Sequence, residues 1–106
     1  MVSKAQTKRQ IVAWLEARLD GGADATWIDM ALGAVRRFVT WWQAAHHQGW
    51  NPRQWRPEDM AAYRQWVATQ GLPAAQVAEE WAALDDFAGW LLAHGAICRH
   101  PMREAD

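Results

Sequence analysis

The sequence predicts an all-α fold, a compact orthogonal four-helix domain. Three observations carry that expectation. Apolar residues recur with a 3.6-residue period in four segments. Glycine and proline stand between those segments, where reversals of the chain need them. No segment alternates apolar and polar residues over a useful length, as a half-buried strand would. At 106 residues the chain is long enough for one core and too short for a second, so residues 1–106 are expected to form a single domain.

The first helix is expected over about residues 5–20, with Ile11, Val12, Leu15 and Leu19 on its apolar side and Gly21 and Gly22 as its stop. The second, about 26–48, starts with Thr26 as N-cap and Asp29 three residues on, a variant of the capping box. Its stripe is Ile28, Leu32, Val35, Val39 and Trp42, with Phe38 alongside. The segment 49–56, GWNPRQWR, has the composition of a turn region. Pro57 suits the first position of a third helix, about 57–70, and Glu58 and Asp59 sit near the positive end of its dipole. Met60, Tyr63 and Val67 form its inner face, and Gly71 breaks it. The fourth, about 73–94, turns Val77, Trp81, Leu84, Phe87, Ala88 and Leu91 inward and is closed by Gly95. A short charged tail follows Pro101.

A hydrophobic content of 51% with 22% charged residues argues for a globular chain and against disorder. Nine tryptophans beside two phenylalanines and one tyrosine need either a well-filled core or a partner surface. The net charge of −1 lacks the basic excess usual in a nucleic-acid binder. Cys98 is the single cysteine, so no internal disulfide can form and a cytoplasmic location is expected. No stretch approaches the roughly 18 to 20 apolar residues that span a bilayer, and none has the apolar core of a signal peptide.

Little in the chain suggests catalysis. His46 and His47 are adjacent on a helix and point about 100° apart, which prevents both from ligating one ion. His94 lies near a helix end, where it can interact with terminal carbonyls, and His100 lies just beyond. With one cysteine and no H-x-x-x-H pair, no metal site is expected, and neither is a cofactor. Gly-rich phosphate loops, nucleophile elbows and Cys/His catalytic arrangements are absent.

Residues 57–101 combine PEDMAAYRQW, a Gly71 turn and LDDFAGWLLAHGAICRHP, with Leu84, Phe87, Trp90, Leu91, Gly95 and Pro101 in register. Together with WIDMALGAVRRFVTWWQAAHHQG in the second helix, this layout resembles the N-terminal SAM-like core-binding domain of tyrosine recombinases, the phage integrase family. The resemblance covers roughly residues 24–102 and rests on packing motifs. It implies half of a clamp around double-stranded DNA, weakly binding alone, with the catalytic Arg, Lys, His and Tyr carried by a separate domain that these residues do not include. Tyr63, on the inner face of its helix, is expected to be structural, and the chain is not expected to be an enzyme.

Two functions therefore compete. The first is non-catalytic DNA binding in site-specific recombination, with phosphates met by Lys8, Arg9, Arg36, Arg37, Arg53 and Arg56. The second is a repurposed protein-interaction module. It is motivated by the fourth helix, which carries Glu79, Glu80, Asp85 and Asp86 and no Lys or Arg over residues 74–98. Glu79, Asp85 and Asp86 share a face with Ala78, Ala82 and Gly89, smooth and repellent to phosphate, while Trp41, Trp50 and Trp55 are the rings expected at the surface. The partner in that case is another protein or a missing catalytic domain.

Overall fold

The computed structural model describes residues 4–103, with side chains from residue 6 onward. Among the described residues the fold is all-helical: α1 (Lys4–Asp20), α2 (Ala25–His46), a 3-10 turn (Pro52–Gln54), α3 (Pro57–Ala68) and α4 (Ala74–Ala93). The end of the charged tail, residues 104–106, lies outside them. Helix α2 packs most extensively on α4, α1 lies against both, and α3 leans on α2.

Local chemistry sets the helix ends, in places one or two residues from where the sequence pattern put them. Asp24, not Thr26, caps α2: its backbone is extended and its carboxylate accepts the Trp27 amide at 2.8 Å. That helix stops at His46 because His47 turns into the left-handed region at φ 54°, a conformation more usual for glycine. Gly95, at φ 74°, performs the same turn after α4, as expected. At α3, Pro57 occupies the first turn and Asp59 reaches back to accept the Arg56 amide at 3.1 Å.

The apolar side of α1 is rotated from its expected position. Leu15 is buried, but Val12 and Leu19 are 43% and 49% exposed, and Trp14 is fully buried instead. The indole removes far more apolar surface than either aliphatic side chain, so the helix turns to seat it. Trp14 meets Phe87 of α4 at 4.9 Å and Trp27 of α2 at 5.8 Å between ring centroids.

Phe38 is the centre of the core. Its ring lies 5.1 Å from Trp55, 5.3 Å from Trp50 and 5.0 Å from Tyr63. Trp50 and Trp55, expected at the surface because they sit in turn-type sequence, are in fact 2% and 5% exposed. The 3-10 turn accounts for this. Asn51 caps it by accepting the Arg53 amide at 3.1 Å, and the tight bend sends Trp50, Pro52 and Trp55 inward while leaving Arg53, Gln54 and Arg56 outside. Leu84, Phe87, Ala88 and Leu91 complete the core from α4, and Tyr63 is buried as its helical position indicated.

Candidate functional site

The acids of α4 are drawn into the fold rather than displayed as one negative face. Asp86 accepts Trp14 Nε1–H at 2.9 Å and is clasped by Arg18, Nε at 2.6 Å and a terminal nitrogen at 3.0 Å. Glu80, buried, accepts Arg37 Nε–H at 3.0 Å on one oxygen and Gln76 at 2.9 Å on the other. Asp85 takes a two-pronged contact from Arg103, and His100 Nε2 lies 3.5 Å from one of its oxygens. Glu79 alone of the four stays exposed, beside Asp29 over a shallow hollow. The expected smooth acidic face is corrected to one exposed acid and three that are internally neutralised.

The same pairings sort the basic residues. Arg37, expected to meet phosphate, is committed to Glu80 and only a third exposed. Among the described residues no salt bridge engages Lys8, Arg9, Arg36, Arg53 or Arg56, and all five are exposed. Lys8 and Arg36 line one cleft, about 490 Å³, between α1 and α2, which the chain at Gly49 and Trp50 closes. Arg53, Arg56 and Arg99 line a second, about 690 Å³, between the 3-10 turn, the start of α3 and the segment after Gly95. Residues 49–56 run between the two clefts, so cationic side chains flank that stretch on both sides. Arg9 follows Lys8 on the exposed side of α1.

The residues offered for protein contact fare differently. Trp50 and Trp55 are core, Asp85 and Asp86 are paired, and Trp41 is half-buried with its ring 6.0 Å from Phe38 and 5.2 Å from Tyr63. Only Glu79 of that set is fully on the surface.

Two features escaped the sequence reading. Asp59, assigned there to the helix dipole, is buried and gathers three donors: Trp42 Nε1–H at 3.1 Å, the Arg56 amide at 3.1 Å, and His46, whose Nε2 lies 3.0 Å away and whose ring stacks on Trp42 at 4.1 Å. It thereby ties the end of α2 to the start of α3. Arg99 joins the Arg53 and Arg56 cleft. An acid two positions after a helix-opening proline was a visible signal for Asp59 and its local bond to the Arg56 amide, but its side-chain partners lie 13 and 17 residues away, beyond any local pattern.

No cluster of three His, Cys, Asp or Glu residues able to hold a metal occurs among the described residues, and no helix there is long and apolar enough to cross a membrane. The chain matches no protein-family model, no curated protein and no solved structure.

Proposed function

We propose that this chain is a non-catalytic DNA-binding module that meets the phosphate backbone with Lys8, Arg9, Arg36, Arg53 and Arg56, in the manner its resemblance to a recombinase core-binding domain implies. The observation that carries the reading is the internal pairing of Glu80, Asp85 and Asp86. The chief objection to phosphate binding was a repulsive α4, and intramolecular cations cancel most of that charge at close range. The overall charge of −1 then understates the local field beside the 49–56 stretch, where Lys8, Arg36, Arg53, Arg56 and Arg99 outnumber Glu58, the one acid lining the two clefts. Contacts of this kind fix position on a duplex without reading bases, so the module supplies grip rather than sequence choice.

The test is fluorescence anisotropy with a nonspecific duplex at low and at moderate salt. Binding that weakens steeply as salt rises is expected. Absence of salt-sensitive binding at low salt rules the reading out.

A further inference from the structure

Helix α1 presents to solvent a stripe that the fold leaves uncovered. Among the described residues three large hydrophobic side chains are exposed, and two of them, Val12 at 43% and Leu19 at 49%, stand on this helix two turns apart. Lys8, Val12, Leu15 and Leu19 follow the alternating spacing of four and three residues that forms the seam of a helix pair. Leu15 is seated in the core, and the stripe runs along the α1–α2 cleft, whose lining includes Ile11, Val12, Leu15 and Leu32. Single apolar residues scattered on a surface need no explanation, whereas two in seam register call for one.

The charges of α1 specify what fits that stripe. Its exposed cations, Lys8 and Arg9, stand in the first half of the helix, and its exposed acids, Glu16 and Asp20, in the second. Among the described residues no salt bridge engages any of the four. Their order also runs against the helix dipole, for the first turn holds no acid and Asp20 ends the helix at its negative pole. Glu16 and Asp20, one turn apart, repel each other. A second α1 laid antiparallel relieves all of this. With Val12 on the partner's Leu15 and Leu19 beside the partner's Lys8, Arg9 comes opposite the partner's Glu16, and the Lys8 ammonium falls between the partner's Glu16 and Asp20. A two-fold axis makes every contact twice. Parallel pairing would set like charge on like.

We propose that α1 is a self-association surface for a second copy of this chain, antiparallel and two-fold, with Val12, Leu15 and Leu19 in the seam and Lys8 and Arg9 against the partner's Glu16 and Asp20. The apolar surface left uncovered is two partly exposed side chains per copy, far short of what a permanent dimer buries, so the pair is weak and forms at high local concentration. Its forces are independent of DNA binding. It draws on Lys8 and Arg9, however, so a duplex that holds those cations and a second copy exclude each other.

Analytical ultracentrifugation of the full chain at low salt and without DNA, up to about 2 mM, measures the pairing. A reversible dimer is expected, with a Kd on the order of 0.1–1 mM, weakened by added salt and accompanied by concentration-dependent NMR shifts along α1. Val12→Glu, at an exposed site, should abolish it with the melting curve retained. Charge exchange gives the decisive result. Lys8→Glu with Arg9→Glu makes every exposed charge of the stripe negative, and Glu16→Lys with Asp20→Lys makes every one positive, so each variant alone should be monomeric. Mixed, the two should form a heterodimer. A chain that stays monomeric at about 2 mM, a dimer that survives Val12→Glu, or a mixture that fails to pair overturns the proposal.

Discussion

Arg18 of α1 grips Asp86 of α4 through two nitrogens, at 2.6 and 3.0 Å, while the Trp14 indole N–H shares the same carboxylate at 2.9 Å. One acid thus fastens the first helix to the last and satisfies the donor of a fully buried ring. The ion pair is about a third exposed and contributes modestly by itself, of order 0.2–1 kcal/mol. The larger effect is the buried indole N–H, which costs about 1–3 kcal/mol if it loses its acceptor. Asp86→Ala should therefore destabilise by about 2 kcal/mol or more, and Asp86→Asn, which retains a carbonyl oxygen, by about 1 kcal/mol or less. Urea unfolding of the two variants checks the difference. Equal losses would mean that the charge, not the hydrogen bond to Trp14, governs the contact.

Trp50 tests the core where composition misled. Its ring stands edge-on to Phe38 at 5.3 Å and to Trp42 at 5.2 Å. Trp50→Ala should cost about 3–5 kcal/mol, as for a large ring removed from a packed interior. Leu84→Ala, 1% exposed at the centre of the α4 stripe, should cost about 2–5 kcal/mol. Thermal or denaturant melts measure both, and a silent Trp50→Ala would return that ring to the surface.

These residues mark how far the sequence could be read. Four helices were legible because Leu84, Phe87, Val35 and Phe38 obey a local period and because Gly71 and Gly95 interrupt it. The fate of Trp50 and Trp55 was not, since a turn that folds its rings inward has the same Gly, Asn and Pro content as one that displays them. Likewise the charges of Asp85 and Asp86 were visible, but Arg103 and Arg18, which neutralise them, are 18 and 68 residues distant. A helical projection shows which acids share a face. It cannot show which basic residues the tertiary fold brings to that face.

Tyr63 gives the protein a spectroscopic pH marker, as it is the one tyrosine in the chain. Its folded pKa is raised above the ordinary value near 10, chiefly by burial and next by Glu80. Above pH 10 the unfolded chain releases the phenolic proton and the folded chain retains it, so the unfolded state binds fewer protons and stability falls as pH rises. The contribution is complete below about pH 10 and is lost on the way up through the folded pKa. Phenolate absorbance should therefore appear together with loss of near-ultraviolet circular dichroism, not before it. Tyr63→Phe should remove this part of the alkaline decline. Phenolate formation in a chain still folded would show that water reaches the hydroxyl.

Arg36 and Arg37 are neighbours in sequence with opposite expected roles, which makes them the sharpest test of DNA binding. Arg36 is exposed in the Lys8 cleft, whereas Arg37 is spent on Glu80. Each phosphate neutralised adds about 0.9 to the log–log dependence of affinity on salt. Arg36→Ala combined with Arg53→Ala should flatten that slope by nearly two while leaving the melting curve close to wild type. Arg37→Ala should do the reverse. It should leave the slope in place and reduce stability by about 1–3 kcal/mol, because Glu80, 8% exposed, loses its cationic partner. Anisotropy titrations at several salt concentrations, beside denaturant melts of the same proteins, measure both effects. If Arg37→Ala flattened the slope as much as Arg36→Ala, the Glu80 pairing would not hold Arg37 away from phosphate, and the division of basic residues drawn from it would fail.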